Sequence, residues 1–432
     1  MDMSRLIPLT FFLFLIQHKL ALFKPMSLVL LPPSSYDATI YASGDTLVIA
    51  NKGYHYDSAS KGWKQNTFIT SFSYDTSNGG VGVIPKGSAE VPGYIMNQYS
   101  LDIWDGHLRM ASTIGSRWGC QASDDEETTC KWTMLEDSDN FVSIYKLPNN
   151  QTSDLTLVGS LNDLGEVGER IEAVRFMGDK AFIVTFLRTD PFYTIDLRNS
   201  SSPRVHGELK ITGFSNYLHP YDADGDFIIG IGQDANQDGM PTGLQISLFN
   251  ATDLSNTTLV HRYNVQESLQ SFSSSAAQYD PKAFRFLPIA KKLIIPSKIG
   301  YPGSVNGFFD GFQVFDVSPF GIEYSFNVSH VVEDGNRVNA EEIDGIDGIE
   351  PAVTTWCWYS AYLQPRSLVH KGILTTIKGH TVLATDLYTR IRQWELNLDS
   401  DNNDCSNDGY WSIAVPSNPE VNVDVAPSKP II

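Results

Sequence analysis

GERIEAVRFMGDKAFIVTFLRTDPFYTIDL, residues 168–197, contains three strand signatures joined by two turns. IEAVRFM reads as a strand, Gly178-Asp179 as a tight turn, KAFIVTF as a β-branched apolar strand, and FYTIDL as an alternating strand after a short loop. The middle run has no polar face, so protein must cover both of its sides. Both halves recur outward along the chain. The turn with its apolar strand reads ASGDTLVIA (42–50), WDGHLRMAS (104–112), MGDKAFIVTF (177–186), ADGDFIIGIG (223–232), IAKKLIIPSK (289–298) and HKGILTTIK (370–378). The strand that follows reads FITSFSYD (68–75), FVSIYKL (141–147), FYTIDL (192–197), LQISLFN (244–250), FQVFDV (312–317) and TVLATDL (381–387). Six copies of each half alternate in strict order. Tandem four-stranded antiparallel units, each burying its faces against the next, predict an all-β propeller of six blades as written. A row of separate sandwiches is the alternative, but no Pro- or Ser-rich linker divides the units.

The composition fits many short strands. Of 432 residues 42% are hydrophobic and 12% aromatic, with 33 Gly and 22 Pro placed as turn formers, and no stretch has the period of a long amphipathic helix. Lys and Arg number 31 against 50 Asp and Glu, a formal net charge of −19. That surface repels phosphate backbones and anionic lipid, which excludes broad nucleic-acid binding. Three segments are predicted: 1–35 as a signal-like or anchor segment, 36–398 as the propeller, and 399–432 as an acidic irregular tail. Leu6 to Ile16 is an apolar run behind Arg5, long enough for a signal-peptide core and too short for an ordinary span. Secretion is the first expectation and attachment to a membrane through an uncleaved segment is the second. Cys120 and Cys130 close a short acidic loop and are read as a disulfide of an oxidising compartment, with free thiols as the alternative. Cys357 and Cys405 flank the last strands and form a second candidate pair. Sequons at Asn150, Asn199, Asn250, Asn256 and Asn327 permit glycosylation.

The runs 168–197, HGELKITGFSNYLHP (206–220), IGIGQDANQDGMPTGLQISLF (229–249), DPKAFRF (280–286), GFQVFDV (311–317) and RSLVHKGILTTIKGHTVLATDL (366–387) closely resemble the secreted β-propeller domain family. That family is mostly bacterial and archaeal and is distantly related to WD40 repeats. The resemblance covers about residues 36–398, is strongest over 165–320, and implies the propeller fold without an activity. Relatives carry further strands upstream of TIYASGDTLVIAN, so either six blades close a smaller ring or first blades are missing from this sequence. Trp104-Asp105 lies in a first turn and is not the WD40 signature.

With strands labelled a to d in each blade, the b–c and d–a loops share one face and the a–b and c–d loops the other. The long insertions 51–66, 120–130, 233–243, 297–311 and 333–350 all fall on the first face, and they carry Tyr54, Tyr56, Trp63, Tyr301, Phe308 and Phe309. These aromatics predict a secreted or surface-attached, non-catalytic scaffold for an extracellular protein, peptide or glycan. Asp234-x-Asn236-x-Asp238-Gly239 matches the first half of a calcium loop, and predicts Ca2+ as a stabilising ion. An Asx-rich turn explains the same residues. Asp222, Asp224 and Asp226 are further oxygen donors, although their a–b turn belongs on the opposite face; Asp344 and Asp347 are others. Tyr99, Glu172, Arg175, His219, Lys282 and Arg366 sit on or beside first strands and are expected at a channel-mouth binding site. The competing reading is a hydrolase or oxidoreductase using His219, Glu172 and Arg175. No HExxH, GxSxG, Walker or strand-to-helix GxGxxG motif supports it.

Overall fold

Apolar runs between Gly- and Asp-bearing turns become strands with the pairing that the repeat predicts. The structure, a computed structural model, describes residues 38–57, 62–75, 82–122, 130–149, 154–187, 190–236, 240–265, 273–300, 309–331 and 364–398. The first sheet holds β1 (Ala38–Ser43), β2 (Thr46–Asp57), β3 (Gly62–Asp75) and β4 (Gly82–Pro92) in sequence order. The second comprises β5 (Leu101–Trp104) and β6 (His107–Ile114), then, after a separate ribbon of β7 (Arg117–Ala122) and β8 (Cys130–Glu136), β9 (Asp139–Lys146) and β10 (Thr156–Leu161). The third is β11 (Arg170–Met177), β12 (Lys180–Phe186), β13 (Asp190–Asp196) and β14 (Arg204–Ile211). The fourth is β15 (Phe214–Pro220), β16 (Phe227–Ala235), β17 (Pro241–Asn250) and β18 (Thr258–Asn264).

In the fifth sheet two short first strands, β19 (Ser273–Ser274) and β20 (Arg285–Leu287), both pair β21 (Lys292–Ile299), followed by β22 (Phe309–Ser318) and β23 (Gly321–Ser329). The sixth is β24 (Arg366–His370), β25 (Ile373–Lys378), β26 (Thr381–Asp386) and β27 (Arg392–Asn397). Pairing within the sheets is antiparallel. The described residues contain no α-helix, only short 3-10 turns. The six sheets and their strand order match the predicted blades; the described parts of insertions 51–66, 120–130, 233–243 and 297–311 lie where the second strand passes to the third, and 333–350 lies outside the described residues. Two compact units result: Met1–Ser271 with Val317–Ile322, and Phe272–Asp316 with Glu323–Ile432.

The second strands β6, β12, β16 and β21 carry near-continuous buried runs. Consecutive sheets of the first unit pack face to face: Ala111, Val142 and Ile144 of the second sheet meet Val174, Phe176, Ile183 and Ile195 of the third. Ala173, Phe182, Val184 and Phe192 then meet Leu218, Ile228 and Phe249 of the fourth. In the second unit Phe312, Val314 and Phe326 meet Leu374 and Leu383. A strand with protein on both sides gains transfer free energy from every residue, about 1.5–3 kcal/mol for each large aliphatic or Phe side chain. Close approach is helped by glycine at two corresponding places. A Cβ on Gly159 of β10 would stand 2.3 Å from Ser200 O, and one on Gly207 of β14 would stand 2.2 Å from Leu254 O, each on the c–d turn of the next sheet.

Candidate functional site

The first strands of consecutive sheets in the first unit are neighbours, β1 beside β5 and β11 beside β15. A β-bulge interrupts β11 between Ile171 and Ala173 and another interrupts β15 between Ser215 and Tyr217. The extra residues are Glu172 and Asn216, and their side chains meet, Asn216 Nδ2 donating to Glu172 Oε2 at 3.4 Å. Glu172 is also held by Arg170, whose Nε donates to Oε1 at 2.8 Å. Bulges re-aim a side chain locally, and here they turn polar groups out of otherwise apolar strands.

Three residues beyond each bulge stand Arg175 and His219. The Arg175 guanidinium lies 5.2 Å from the Tyr99 ring centroid, and Tyr99 packs edge-on to Tyr217 at 5.5 Å. Tyr99 sits in the 3-10 turn before β5, where Asn97 caps the turn by accepting from the Tyr99 N–H at 2.9 Å. Tyr217 OH and His219 Nδ1 are 3.1 Å apart. Burial, then the nearby Arg175 charge, pushes His219 down to about 4, so its imidazole is neutral at neutral pH. Burial first, and the adjacent Tyr99 hydroxyl second, holds Tyr217 well above the usual phenol range and keeps its proton on. The cluster thus supplies one fixed positive charge and uncharged hydrogen-bonding groups. A base that titrates near 4 is poorly matched to proton abstraction at neutral pH.

Four expected channel residues, Tyr99, Glu172, Arg175 and His219, therefore fall on neighbouring first-strand segments of one unit. Lys282 and Arg366 belong to the other unit. There Arg366 Nη2 pairs with Asp280 Oδ2 at 2.7 Å, and the Lys282 N–H donates to Asp280 Oδ1 at 2.9 Å. Beside them a shallow depression of about 430 Å3 is lined by Ser274, Ser275, Ala276, Tyr279, Asp280 and Gln364. Tyr217 and Asn216 are the site residues absent from the sequence reading. Superposing RIEAVRF on FSNYLHP aligns Glu172 with Asn216 and Arg175 with His219, and so would have exposed Asn216; Tyr217 falls opposite Ala173 and carries no such signal.

At the b–c turn of the fourth sheet Asp234 Oδ1 accepts from Arg262 at 3.3 Å and Oδ2 from Asn264 at 3.1 Å. Asn236 Oδ1 accepts the Met240 N–H at 2.9 Å, an Asx-type turn. Asp238 and Gly239 lie outside the described residues, among which no group of three or more His, Cys, Asp or Glu side chains is placed to hold a metal. Asp222 caps its own a–b turn, accepting the N–H groups of Asp226 at 2.8 Å and Phe227 at 3.1 Å, at the far end of β16 from Asp234. Asp344 and Asp347 lie outside the described residues, as do Cys357, Cys405 and Asn150. Cys120 stands opposite Trp132 and Cys130 opposite Ala122, so the two cysteines occupy diagonal positions on the β7–β8 ribbon. Asn199, Asn256 and Asn327 are exposed, and Asn250 is half-buried.

Within the insertion 51–66, residues 51–57 and 62–66 are strand. β2 and β3 run past the end of β1 as a two-stranded ribbon, pairing Tyr54 with Gln65 and Tyr56 with Trp63. Strand alternation puts Tyr54, Tyr56 and Trp63 on one face, where they are 65%, 49% and 63% exposed. Tyr56 and Trp63 meet edge-to-face at 5.4 Å. Phe309, expected in a loop, instead starts β22 and is half-buried; Tyr301 and Phe308 lie outside the described residues.

A family profile described as "Beta propeller domain" matches residues 24–390. An uncharacterized protein of Methanocaldococcus jannaschii is 44% identical over 178 residues, 41% of this chain and 24% of its own length. Another from Archaeoglobus fulgidus is 36% identical over 182 residues, 42% of this chain and 24% of its own. The chain thus spans about a quarter of the length of these relatives. Among solved structures, Sqt1 from Chaetomium thermophilum is 12% identical with a TM-score of 0.33, covering 82% of this chain and 83% of its own. A Bacteroides ovatus protein provisionally described as a dipeptidyl aminopeptidase IV is 8% identical with a TM-score of 0.35, covering 83% and 50%.

Proposed function

Because this chain belongs to the β-propeller domain family, whose sheets form a rigid frame for variable loops, we propose that it is a non-catalytic binding scaffold working through its b–c/d–a face. The observation that carries this reading is the aromatic face of the β2–β3 ribbon. Three large rings held at 65%, 49% and 63% exposure lose apolar surface to water unless a partner covers them. Aromatic side chains on a stiff ribbon lose little rotamer entropy on binding, which suits them as anchors for an extracellular protein, peptide or glycan. The Tyr56→Ala/Trp63→Ala protein, tested beside wild type on peptide and glycan arrays, is expected to lose about thirtyfold in affinity, the scale of a 2 kcal/mol anchor. Its melting temperature is expected to stay within about 2 °C, because both side chains are exposed. Retained binding by the variant, or no wild-type signal on either array, would refute the reading. The enzyme alternative finds less support, since His219 is held neutral far below working pH and Glu172 is occupied by Arg170 and Asn216.

Secretion, or anchoring through residues 1–35, belongs to the same proposal, with sugars on the exposed c–d side at Asn199 and Asn256. A Cys120–Cys130 disulfide would join diagonal positions and so draw the ribbon tighter than its present register. Calcium at Asp234, Asn236 and Asp238 is the remaining element. Asp234 already faces Arg262 and Asn264, so the ion would have to displace those contacts. If calcium binds there, excess ion over chelator should raise the melting temperature of wild type and leave Asp234→Ala/Asp238→Ala unmoved. Equal shifts in the two proteins would assign the motif to turn formation alone.

A further inference from the structure

We propose that Arg175 and the rings around it bind a single carboxylate group carried by a small organic ligand. The other half-buried or buried arginines of the first unit each face an acid: Arg109 pairs with Asp102, Arg117 with Glu136 and Arg262 with Asp234. Arg175 pairs with no carboxylate among the described residues, and its Nε is buried without a hydrogen-bond partner there. A desolvated guanidinium donor left unmatched is costly; the Nε atoms of Arg117 and Arg262 are buried without a partner too, but those guanidiniums each keep an acid, so the missing carboxylate is what singles out Arg175.

The surroundings set the class of ligand. Glu172, the acid on the same strand, is engaged by Arg170 and Asn216. His219 adds no charge at neutral pH, so the site offers one positive charge and matches one negative charge. A planar carboxylate fits the guanidinium fork with two parallel hydrogen bonds, whereas a phosphate dianion would bring a second charge with no cation to meet it. Tyr99, against Arg175, and Tyr217, edge-on to Tyr99, present ring surface beside that charge. The fitting ligand is therefore a monocarboxylate with an apolar or aromatic body, and benzoate is the simplest probe.

Titration calorimetry on the full chain at neutral pH tests this with benzoate, its uncharged analogue benzamide, and inorganic phosphate. Benzoate is expected to bind at least about tenfold more tightly than either control, and Arg175→Gln to weaken it at least about tenfold while the melting temperature is kept. Arg175→Lys keeps the charge and loses the fork, and should also bind benzoate about tenfold more weakly; it carries the test if Arg175→Gln fails to fold. Absence of benzoate binding in wild type, equal binding of benzamide or phosphate, or wild-type affinity in a folded Arg175 variant would overturn the proposal. The site shares no residue with the aromatic ribbon, so either reading can fail alone.

Discussion

Replacing Asp102 with Ala is expected to lower the unfolding free energy of the first unit by about 3–5 kcal/mol, the scale of removing one partner from a buried ion pair. Its partner Arg109 on β6 is only 2% exposed. Arg109 Nε donates to Asp102 Oδ2 at 2.8 Å, and Nη1 donates to Gly178 O in the a–b turn of the third sheet. Trp104 and Phe176 flank the guanidinium at 5.9 and 5.3 Å. Asp102→Ala leaves that cation in a low-dielectric slot with one backbone carbonyl and two ring faces. Asp102→Asn retains an acceptor and should cost less. The double variant Asp102→Leu/Arg109→Met should be less destabilised than Asp102→Ala, because it removes the orphaned charge itself. Urea denaturation followed by fluorescence reads all three. A loss below about 1 kcal/mol for Asp102→Ala would mean that water reaches Arg109 and that the pair is not a buried link between sheets.

Phe249→Ala should rank beside it, at about 3–5 kcal/mol, by cavity formation instead of charge. Phe249 is fully buried and stacks on Phe192 with centroids 4.4 Å apart and planes 20° from parallel. Phe192 in turn meets Phe182 at 5.7 Å, so the three rings span the contact between third and fourth sheets. Truncating the fully buried end ring of this close-packed stack leaves a void that the paired strands cannot close. Phe249→Leu fills most of it and is expected to cost less than half as much. Equal denaturation midpoints for Phe249→Ala and wild type would show that the interface relaxes, contrary to the rigid packing inferred from burial.

How far the sequence alone reaches depends on what each segment buries. The turn-plus-strand units were legible because runs such as MGDKAFIVTF and ADGDFIIGIG are apolar for a common reason: protein lies on both sides of the second strand. The ribbon 52–57/62–65 reads as a loop in sequence because its large side chains Tyr54, Tyr56 and Trp63 are exposed, and a ribbon exposed to solvent carries no burial pattern. Glu172, Arg175 and His219 could be singled out as polar residues in apolar strands. The bulges that aim them, and Tyr217, could not, since a bulge is one added residue whose position shows only in the pairing register. The oxygen spacing at Asp234 and Asn236 was equally visible, but spacing does not reveal that Arg262, Asn264 and Met240 already occupy those oxygens.

The matched bulges in β11 and β15 mean that chemistry and architecture are stored separately in this molecule. Counted from the bulge, Glu172 and Asn216, Ala173 and Tyr217, and Arg175 and His219 occupy interchangeable slots on two backbones of the same shape. A gene duplication would have copied the slots, and later point substitutions could rewrite their contents without renegotiating strand pairing. The same property makes the pair a ready substrate for engineering. Exchanging Arg175 with His219 moves a positive charge from one sheet to the next, and putting a second acid at Asn216 cancels the one positive charge that the cluster offers. In both cases the sheets that carry these residues keep the core they already have.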